Sequence, residues 1–458
     1  MGTPLDSSVD GLVALAKKHT WFSNGHEQSE YLQPGRIVVR QSGNELTDIF
    51  GNSYLEALSG FAGCTLGRSN STVVDAIIDE LRHNPIVVTG GGATPKQILL
   101  SKQIAERMPD RGERLNRVIY SCNGSDANET AFKVARQYWK IRGEGSRYKI
   151  ISRWGSYHGC HFGTLSASGY TFRRTGAEPL VPGFLHTNPP QCLFCPYKCY
   201  PQCTLQCADE LEALIQREGP DTIAAWIGDL VITALGPAPA PPDYPKRIRG
   251  ICDKYGILMI VDEVITGWGR MGTWTASELY GVVPDILTLA KGLSALYLPL
   301  AATVVKEEIA NAFSEDLLQH VYTSAGSPVA CAAGLAVIDY IEENELLARV
   351  QEKAKVVQQQ CSAIKDEFCC VGETYAIGLE FGFQLVADQK SLARIRDREK
   401  LGRVLLEASI KEGVLLAVFE DCIICAPSLT ISDQELDRIF GAIKRGLREV
   451  TGVLPSLL

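Results

Sequence analysis

The sequence predicts an α/β fold in which a mostly parallel β-sheet is covered by helices. Short apolar runs alternate with amphipathic helical patterns along most of the chain, which is typical of strand-helix-strand units. Polar or glycine-rich residues follow each apolar run, at the position where open α/β sheets bind their ligands. The candidate strands are Arg117 to Ser121, Tyr148 to Ser152, Ile223 to Gly228, Ile257 to Val261 and Ile286 to Leu289.

The length and composition indicate a globular protein with more than one domain. Of the 458 residues, 45% are hydrophobic and 21% are charged, so the chain can bury a large core. From about Glu342 onward, amphipathic helices over Leu346 to Ile364 and Arg398 to Lys411 alternate with short strands. We predict that the N- and C-terminal segments together form a smaller α+β domain. The predicted parts are an N-terminal segment (1–60), a large domain (61–330) and a C-terminal domain (331–458).

The charge of the chain argues against a nucleic-acid partner and against an anionic membrane surface. The formal net charge is -8, and neither kind of surface attracts an acidic protein. The segment that begins at Met1 lacks a basic region followed by an apolar stretch, and no run of about 18 apolar residues occurs. We therefore expect a cytosolic protein that acts on small molecules, without a membrane partner.

Two of the predicted strands end in a lysine and an aspartate. Lys291 follows the run Ile286 to Leu289, and Asp262 follows the run Ile257 to Val261. A lysine in a confined, partly desolvated site has a lowered amine pKa, so its neutral form is available to form a Schiff base. An aspartate that faces the nitrogen of a pyridinium ring keeps that ring protonated and makes it an electron sink. The pair therefore predicts a pyridoxal phosphate (PLP) enzyme in which Lys291 and Asp262 are catalytic.

Two other predicted strands lead into segments that suit the remaining parts of this cofactor. Gly124 and Ser125 begin a helical pattern, and the N–H groups of a helix N-terminus bind phosphate. Tyr157 follows the second strand beside a glycine, where its ring can stack on a flat ligand. The structural alternatives are a simple helix cap and a core tyrosine, respectively. We assign no proton-transfer role to His158.

The order of these motifs resembles the class III (ω-type) aminotransferase family of PLP fold type I. That family also contains racemases and dialkylglycine decarboxylases. The resemblance extends from about Asn44 to about Asp437. The motifs are Asn-Gly-Ser-Asp-Ala-Asn-Glu from Asn123, Tyr-His-Gly from Tyr157, Asp-Glu-Val-Ile-Thr-Gly-Trp-Gly-Arg from Asp262, Ala-Lys-Gly-Leu-Ser from Ala290 and Thr-Ser-Ala-Gly-Ser-Pro from Thr323.

The resemblance implies a large domain with a mostly parallel seven-stranded sheet, and it assigns a role to each motif. Lys291 is the Schiff-base residue and proton shuttle, and Asp262 is the partner of the pyridine nitrogen. One face of the ring contacts Val264 and the other Tyr157, while Thr323 reaches the phosphate from a second subunit. This implies a homodimer with shared active sites. The predicted cofactor-binding residues are Gly124, Ser125, Tyr157, Asp262, Val264, Lys291 and Thr323.

The predicted reaction is transamination between an amine or amino acid and a keto acid or ketone. A racemase, epimerase or decarboxylase would use the same Lys291 and Asp262, and this alternative stays open. A non-catalytic scaffold protein with this fold is the alternative from a different class.

Three departures from the family pattern concern the substrate. Asp229-Leu230 replaces the usual Glu-Pro, Ile424 occupies the position of an arginine that clamps a substrate carboxylate, and Ala234 replaces a glutamate that shields it. An apolar side chain has neither the charge nor the fork geometry to bind a carboxylate. We hypothesise that the substrate is a bulky or apolar amine, an aminoketone or a biosynthetic intermediate. In the competing interpretation, another basic residue binds the carboxylate, and the candidates are Arg270, Arg173 and Arg174.

A cysteine-rich segment interrupts the large domain. Its five cysteines follow the pattern Cys-x2-Cys-x3-Cys-x3-Cys-x3-Cys, which matches no common zinc motif. We expect free or loosely paired thiols in a surface excursion and predict no metal, although a structural zinc site remains the alternative. The cysteines are Cys192, Cys195, Cys199, Cys203 and Cys207.

Overall fold

The structure is a computed structural model that describes residues 8–21, 37–86, 92–199 and 202–457. Its strands are β1 Val38–Ser42, β2 Glu45–Asp48, β3 Ser53–Glu56, β4 Leu115–Ser121, β5 Lys149–Arg153, β6 Phe184–Thr187, β7 Ile223–Gly228, β8 Val231–Ile232, β9 Ala238–Pro239, β10 Leu258–Asp262, β11 Ile286–Leu289, β12 Ala301–Lys306, β13 Val371–Ile377, β14 Glu380–Leu385, β15 Val414–Leu415, β16 Ala417–Phe419 and β17 Cys422–Cys425. Each of the five predicted strands is present, with ends that differ from the prediction by at most two residues.

The helices include the two amphipathic helices predicted for the C-terminal part. They are α1 Val9–His19, α2 Ser59–Ala62, α3 Ser71–His83, α4 Pro95–Ala105, α5 Gly124–Ile141, α6 Phe162–Ala167, α7 Thr171–Arg174, α8 Gln206–Glu218, α9 Tyr244–Tyr255, α10 Ala276–Tyr280, α11 Glu307–Asn311, α12 Pro328–Glu343, α13 Leu346–Glu367, α14 Arg398–Ile410 and α15 Asp433–Val453. In the parts of the chain that the structure describes, no helix has the length and apolar character needed to cross a bilayer.

A seven-stranded sheet in the order β4-β12-β11-β10-β7-β5-β6 forms the centre of the molecule. Six of its strands run in one direction, and β12 is antiparallel to both of its neighbours, β11 and β4. The prediction of a mostly parallel seven-stranded sheet is therefore confirmed. Strands β6 and β12 were not among the predicted candidates.

Helices cover both faces of this sheet, which explains why its central strands β7, β10 and β11 are apolar along most of their length. Ile150 and Ile260 point to the face that packs against α5, where Phe132 and Ala135 belong to the same buried cluster. The intervening positions, such as Ile151, point to the opposite face and pack with α8 and α9. Side chains of a strand alternate between the two faces of the sheet, and here helices bury both faces. Polar side chains are therefore found mainly at the strand ends.

The parallel register brings the predicted lysine and aspartate to the same edge of the sheet. Asp262 at the end of β10 lies opposite Thr288 of β11, and Lys291 follows just beyond the end of β11. Helix α5 starts at this edge because Asn123 caps it, accepting a hydrogen bond from the N–H of Asp126 at 3.0 Å. The first turn of α5 therefore faces the carboxyl ends of the central strands.

Two smaller sheets are built from the terminal parts of the chain. One has the order β1-β2-β3-β15, in which β15 from the C-terminal part pairs in parallel with β3. The other has the order β13-β14-β17-β16, and all its pairs are antiparallel. The proposed boundaries after residues 60 and 330 remain predictions.

Candidate active site

The carboxylate of Asp262 is held by three hydrogen bonds at the end of β10. Its Oδ2 atom lies 2.8 Å from the side-chain nitrogen of Asn128 and 2.8 Å from Nδ1 of His158. Its Oδ1 atom accepts a hydrogen bond from the N–H of Val264 at 3.0 Å. The residue is only 6% exposed. Because Oδ1 can accept a second hydrogen bond, the carboxylate is oriented but still has room for one more donor.

Lys291 lies where β11 turns into the short 3-10 helix Lys291–Leu293. Its φ angle is +37°, a region that a non-glycine residue rarely adopts, and such strain is concentrated at functional sites. Burial lowers the pKa of the Lys291 amine from 10.5 to about 8, while the negative charges of Asp262 and Glu380 act in the opposite direction. The neutral, nucleophilic amine is therefore accessible near neutral pH.

The start of α5 contacts the segment that follows Asp262. A Cβ atom added to Gly124 would lie 2.9 Å from Cγ1 of Val264, so a side chain at position 124 would collide with Val264. The N–H groups of Gly124 and Ser125 belong to the first helical turn, which has no intrahelical acceptors. The Ser125 hydroxyl accepts a hydrogen bond from the N–H of Cys160 at 3.1 Å. The structure thus places Gly124 next to Val264, and the binding of a cofactor by Gly124, Ser125 and Val264 remains a prediction.

Tyr157 and Thr323 are less enclosed than the other predicted residues. Tyr157 lies next to His158, which contacts Asp262, and 43% of its surface is exposed. Burial of the remainder raises the pKa of its hydroxyl. Thr323 is exposed in the single chain, in a segment between α11 and α12. An exposed Thr323 is compatible with a contact to another subunit, which a single chain does not test.

Sequence reasoning missed two side chains that orient the predicted aspartate. Asn128 bridges two strands, because its amide nitrogen donates to Asp262 and its oxygen accepts from Thr288 at 2.8 Å. His158 is 2% exposed and directs Nδ1 to Asp262, so it is a positioning residue. The sequence could have indicated Asn128, because a residue four positions after Gly124 lies on the same face of α5, the face that meets the sheet.

The shortened carboxylate Asp229 is bound by an arginine. Its Oδ1 atom accepts from the guanidinium of Arg153 at 2.6 Å and from the Ser156 hydroxyl at 2.8 Å. Arg153 is fully buried and also stacks against Trp226 and Tyr244. The negative charge of Asp229 is therefore paired with Arg153 inside the protein.

The three arginines proposed as alternative carboxylate ligands have other contacts. Arg270 is fully buried and donates to the carbonyl groups of Leu379 at 3.1 Å, Ala62 at 3.2 Å and Pro427. Arg174 stacks on Trp154 and forms an ion pair with Glu178, and Arg173 stacks on Phe172. Arg270 thus ties together three separate segments of the chain.

A second buried carboxylate lies near Lys291. Glu380, the first residue of β14, is fully buried, and its Oε1 accepts a hydrogen bond from the Thr233 hydroxyl at 2.6 Å. Its Oε2 has no partner in the described part of the chain. Desolvation raises the pKa of Glu380, and the positive charges of Arg270 and Lys291 oppose this effect. No local pattern indicated this residue as part of the site, because it stands alone at the start of an apolar strand.

Ile424 lies on β17 with very small residues on both sides. Gly382 of β14 and Ala417 of β16 are its cross-strand neighbours. Ile424 is 1% exposed and belongs to an apolar cluster with Cys422 and Ala62.

A cavity of about 330 Å³ opens beside this cluster. Ala234 and Cys422 line the cavity. Ala234 follows Thr233, which donates a hydrogen bond to Glu380, and Cys422 belongs to the same apolar cluster as Ile424. Trp154, three residues before Tyr157, forms another part of the wall. The cavity is large enough for a small-molecule substrate.

The five cysteines of the cysteine-rich segment line one small pocket, which lies partly inside the molecule. Cys207 is buried in α8, whereas Cys203 is exposed. The sulfur atoms of Cys195 and Cys199 are 3.4 Å apart. Among the described residues, no three His, Cys, Asp or Glu side chains are grouped so as to hold a metal ion. The expected surface excursion is thus wrong for Cys207.

The residues at the sheet edge fit PLP. The oriented Asp262 carboxylate has room for one N–H donor, and Lys291 has a lowered amine pKa. The absence of a side chain at Gly124 leaves the start of α5 close to Val264, with N–H groups free for a phosphate. Fold and site together define a PLP-dependent enzyme of fold type I.

Comparison with known proteins identifies the family. The family described as Aminotransferase class-III matches residues 27–447, so the chain belongs to the class III aminotransferases and is a PLP-dependent transaminase. It is 33% identical to the uncharacterized aminotransferase YhxA of Bacillus subtilis, over 98% of this chain and 99% of that protein.

Two solved structures are similar in fold along nearly the whole chain. The first is an (S)-enantioselective omega-transaminase from Thermomicrobium roseum, with a TM-score of 0.91 and 33% identity over 96% of this chain and 98% of that chain. The second is an amine transaminase from an uncultivated Pseudomonas species in its PLP-bound form, with a TM-score of 0.88 and 33% identity over 93% of this chain and 98% of that chain. The predicted family, fold, cofactor and reaction are confirmed.

Proposed function

We propose that the enzyme takes its amino group from an amine that carries no carboxylate on the reacting carbon. The observation that carries this proposal is Ile424, which is buried among small and apolar residues with Gly382 and Ala417 as its cross-strand neighbours. A carboxylate placed there would lose its hydration without gaining an ion pair, which is costly. A methyl or longer alkyl group has no strong hydration to lose at this position. The similarity to the amine transaminase from the uncultivated Pseudomonas species supports this substrate class.

The roles of the individual residues are part of the proposal. When bound, PLP forms a covalent bond to an amine and stabilises the negative charge that develops on the carbon next to it. Lys291 would supply the amine that holds the cofactor and, as a free amine, would act as the base and acid that moves the proton at the substrate carbon.

Asp262 would hold the ring nitrogen of the cofactor in its protonated form. His158 and Asn128 hold the Asp262 carboxylate in place, because both donate to its Oδ2 atom. Val264 and Tyr157 would contact the two faces of the ring. The N–H groups of Gly124 and Ser125 would hold the phosphate, because the helix dipole favours a negative charge there.

We also propose that the enzyme is a homodimer in which Thr323 completes the phosphate site of the partner subunit. Large apolar side chains are exposed in the single chain near Thr323, including Leu317 at 83% and Val321 at 86%. Such exposure favours a covering partner. All fifteen cysteines are unpaired thiols, which agrees with a location in the reducing cytosol.

A matched pair of donors tests the substrate class. Isopropylamine differs from alanine only by a methyl group in place of the carboxylate, so the ratio of their kcat/KM values measures the effect of that group. We expect the wild type to prefer isopropylamine and Ile424→Arg to raise the relative use of alanine at least about tenfold, through a charge-assisted hydrogen bond. Ile424→Met, which changes the shape without adding a charge, is the control. Unchanged or lower turnover of alanine by Ile424→Arg would contradict the proposal.

A further inference from the structure

The cysteine-rich segment has no role in the proposed transamination, but two of its thiols are in direct contact. The sulfur atoms of Cys195 and Cys199 are 3.4 Å apart. The two sulfur atoms of a disulfide are about 2.0 Å apart, so a movement of about 1.4 Å would join this pair. Both cysteines belong to the group of five that lines one small pocket.

A tight turn holds the two thiols in this arrangement. The N–H of Lys198 donates to the carbonyl oxygen of Cys195 at 3.0 Å, which closes a four-residue turn. Pro196 occupies the second position of this turn, where proline is favoured. Tyr197 anchors the turn to α8, because its hydroxyl donates to Glu210 at 2.6 Å. The contact between the thiols is therefore supported by the local fold.

The thiols of this segment differ in acidity. A hydrogen bond from the backbone of Thr204 lowers the pKa of Cys199, and a second hydrogen bond from Cys195 acts in the same direction. The thiolate is the nucleophilic form of a cysteine. Burial raises the pKa of Cys192 to about 11 and that of Cys207 to about 12. Within the segment, Cys199 is thus the favoured nucleophile, and Cys195 is the thiol next to it.

The pair is more accessible than the cysteines of the core. Cys195 and Cys199 are both half-buried, and Lys198 between them is exposed. Cys252 and Cys361 are buried, and this burial raises the pKa of each thiol to about 12. A small oxidant should therefore react with the pair before it reacts with the core thiols.

The segment that carries the pair also forms part of the wall of the larger cavity. Pro189 and Gln191 line both the cysteine pocket and that cavity. Phe194, which directly precedes Cys195, stacks on Arg394 of the cavity wall, with 3.8 Å between the guanidinium carbon and the ring centroid. A covalent change at Cys195 is therefore made next to a residue that supports the cavity wall.

We infer that Cys195 and Cys199 form a reversible disulfide by exchange with a low-molecular-weight disulfide such as oxidised glutathione. The thiolate of Cys199 attacks one sulfur of oxidised glutathione, forms a mixed disulfide and releases one glutathione thiolate. Cys195 then loses its proton to water and attacks the sulfur of Cys199, which releases the second glutathione thiolate. The protein loses two electrons and two protons, and oxidised glutathione becomes two molecules of glutathione.

This inference is independent of the proposed substrate class. Disulfides in cytosolic proteins are usually transient and either catalytic or redox-sensing. Because neither cysteine is among the residues assigned to the cofactor or to the proton transfer, the structure favours a redox-responsive site over a catalytic one.

Thiol labelling of the holoenzyme in glutathione buffers tests the inference. After acid quenching and alkylation in denaturant, the oxidised sample should carry two fewer labels on its fifteen cysteines than the reduced sample. Trypsin cleaves after Lys198, between the two cysteines, so the disulfide should join the peptides 175–198 and 199–217. Treatment with dithiothreitol should separate these peptides, and fragmentation in the mass spectrometer identifies the linked cysteines.

Three variants separate this pair from the other cysteines of the segment. Cys195→Ser should lose the link and accumulate the mixed disulfide of Cys199 with glutathione, whereas Cys199→Ser should show neither product. Cys203→Ser removes an exposed cysteine of the same segment, so it is the matched control and should retain the link.

Three results would overturn the inference. The first is an equal number of labels in the oxidised and reduced samples. The second is a disulfide that joins Cys199 to Cys203 or to Cys192 in the wild type. The third is a purified protein with one zinc ion per chain that protects these thiols from oxidation, because the thiolates would then serve as metal ligands.

Discussion

The lowered pKa of Lys291 predicts how fast the protein without cofactor should capture PLP at different pH values. Only the neutral amine attacks the aldehyde, so the capture rate follows the neutral fraction. At pH 7, an amine with a pKa of about 8 is neutral in about one molecule in ten, against roughly one in 3,000 for an ordinary lysine at 10.5. Lys291 should therefore react roughly 300-fold faster at this pH than an exposed lysine of equal nucleophilicity.

The assay is stopped-flow absorbance of the protein freed of cofactor and mixed with PLP between pH 6 and pH 10. The rate should rise with pH and level off above a midpoint near 8, because burial disfavours the charged amine. Nα-acetyllysine, measured over the same range, corrects for the titration of PLP itself.

The variant Asp262→Asn tests the direction in which the aspartate charge shifts the pKa of Lys291. The negative charge of Asp262 raises the pKa of Lys291 against the larger effect of burial. Asp262→Asn removes this charge and should move the midpoint below that of the wild type. A wild-type midpoint near 10.5 would show that burial does not control this amine, and a midpoint that moves upward in Asp262→Asn would show that the aspartate charge does not act on it.

Three further predictions concern single contacts. His158→Ala removes one donor to Asp262 and should cost about 2 kcal/mol of transition-state stabilisation, seen as a lower kcat with PLP still bound; an unchanged kcat would exclude the positioning role. Gly124→Ala should weaken PLP binding by about 1–3 kcal/mol in a fluorescence titration, and Val264→Ala in the same chain should restore part of the loss because the added methyl then has space. Arg153→Met should lower the free energy of unfolding in urea by about 3–5 kcal/mol, because it leaves Asp229 unpaired. Arg247→Met, which breaks an exposed ion pair with Asp209, is its control and should cost less than about 1 kcal/mol.

The central sheet could be predicted because its strands are apolar on both faces and are bounded by glycine or polar residues. Runs such as Ile223 to Gly228 are visible without knowledge of their partners. Strand β6 was missed because it is a short edge strand that includes the polar His186. Strand β12 was missed because it runs antiparallel to its neighbours, so no site motif follows it at the ligand-binding edge.

Several candidate cofactor-binding residues could be named from the sequence because they lie directly after a strand or at a helix start, as Lys291 and Gly124 do. Contacts between distant segments could not be predicted in this way. His158 and Asp262 are 104 positions apart, and nothing in either local sequence indicates that they meet. Glu380 lies in the C-terminal part of the chain, and its proximity to Lys291 depends on how the smaller sheets pack against the central sheet. Local patterns carry no information about such packing.

The proposed roles of the site residues require a covalent bond between PLP and the side chain of Lys291. Borohydride reduction of the purified protein with its cofactor, followed by proteolysis and mass spectrometry, locates that bond. We predict that the reduced cofactor is found on the peptide that contains Lys291 and that Lys291→Ala abolishes the labelling. Labelling of a different lysine, or none in a protein that still transfers amino groups, would contradict the role of Lys291.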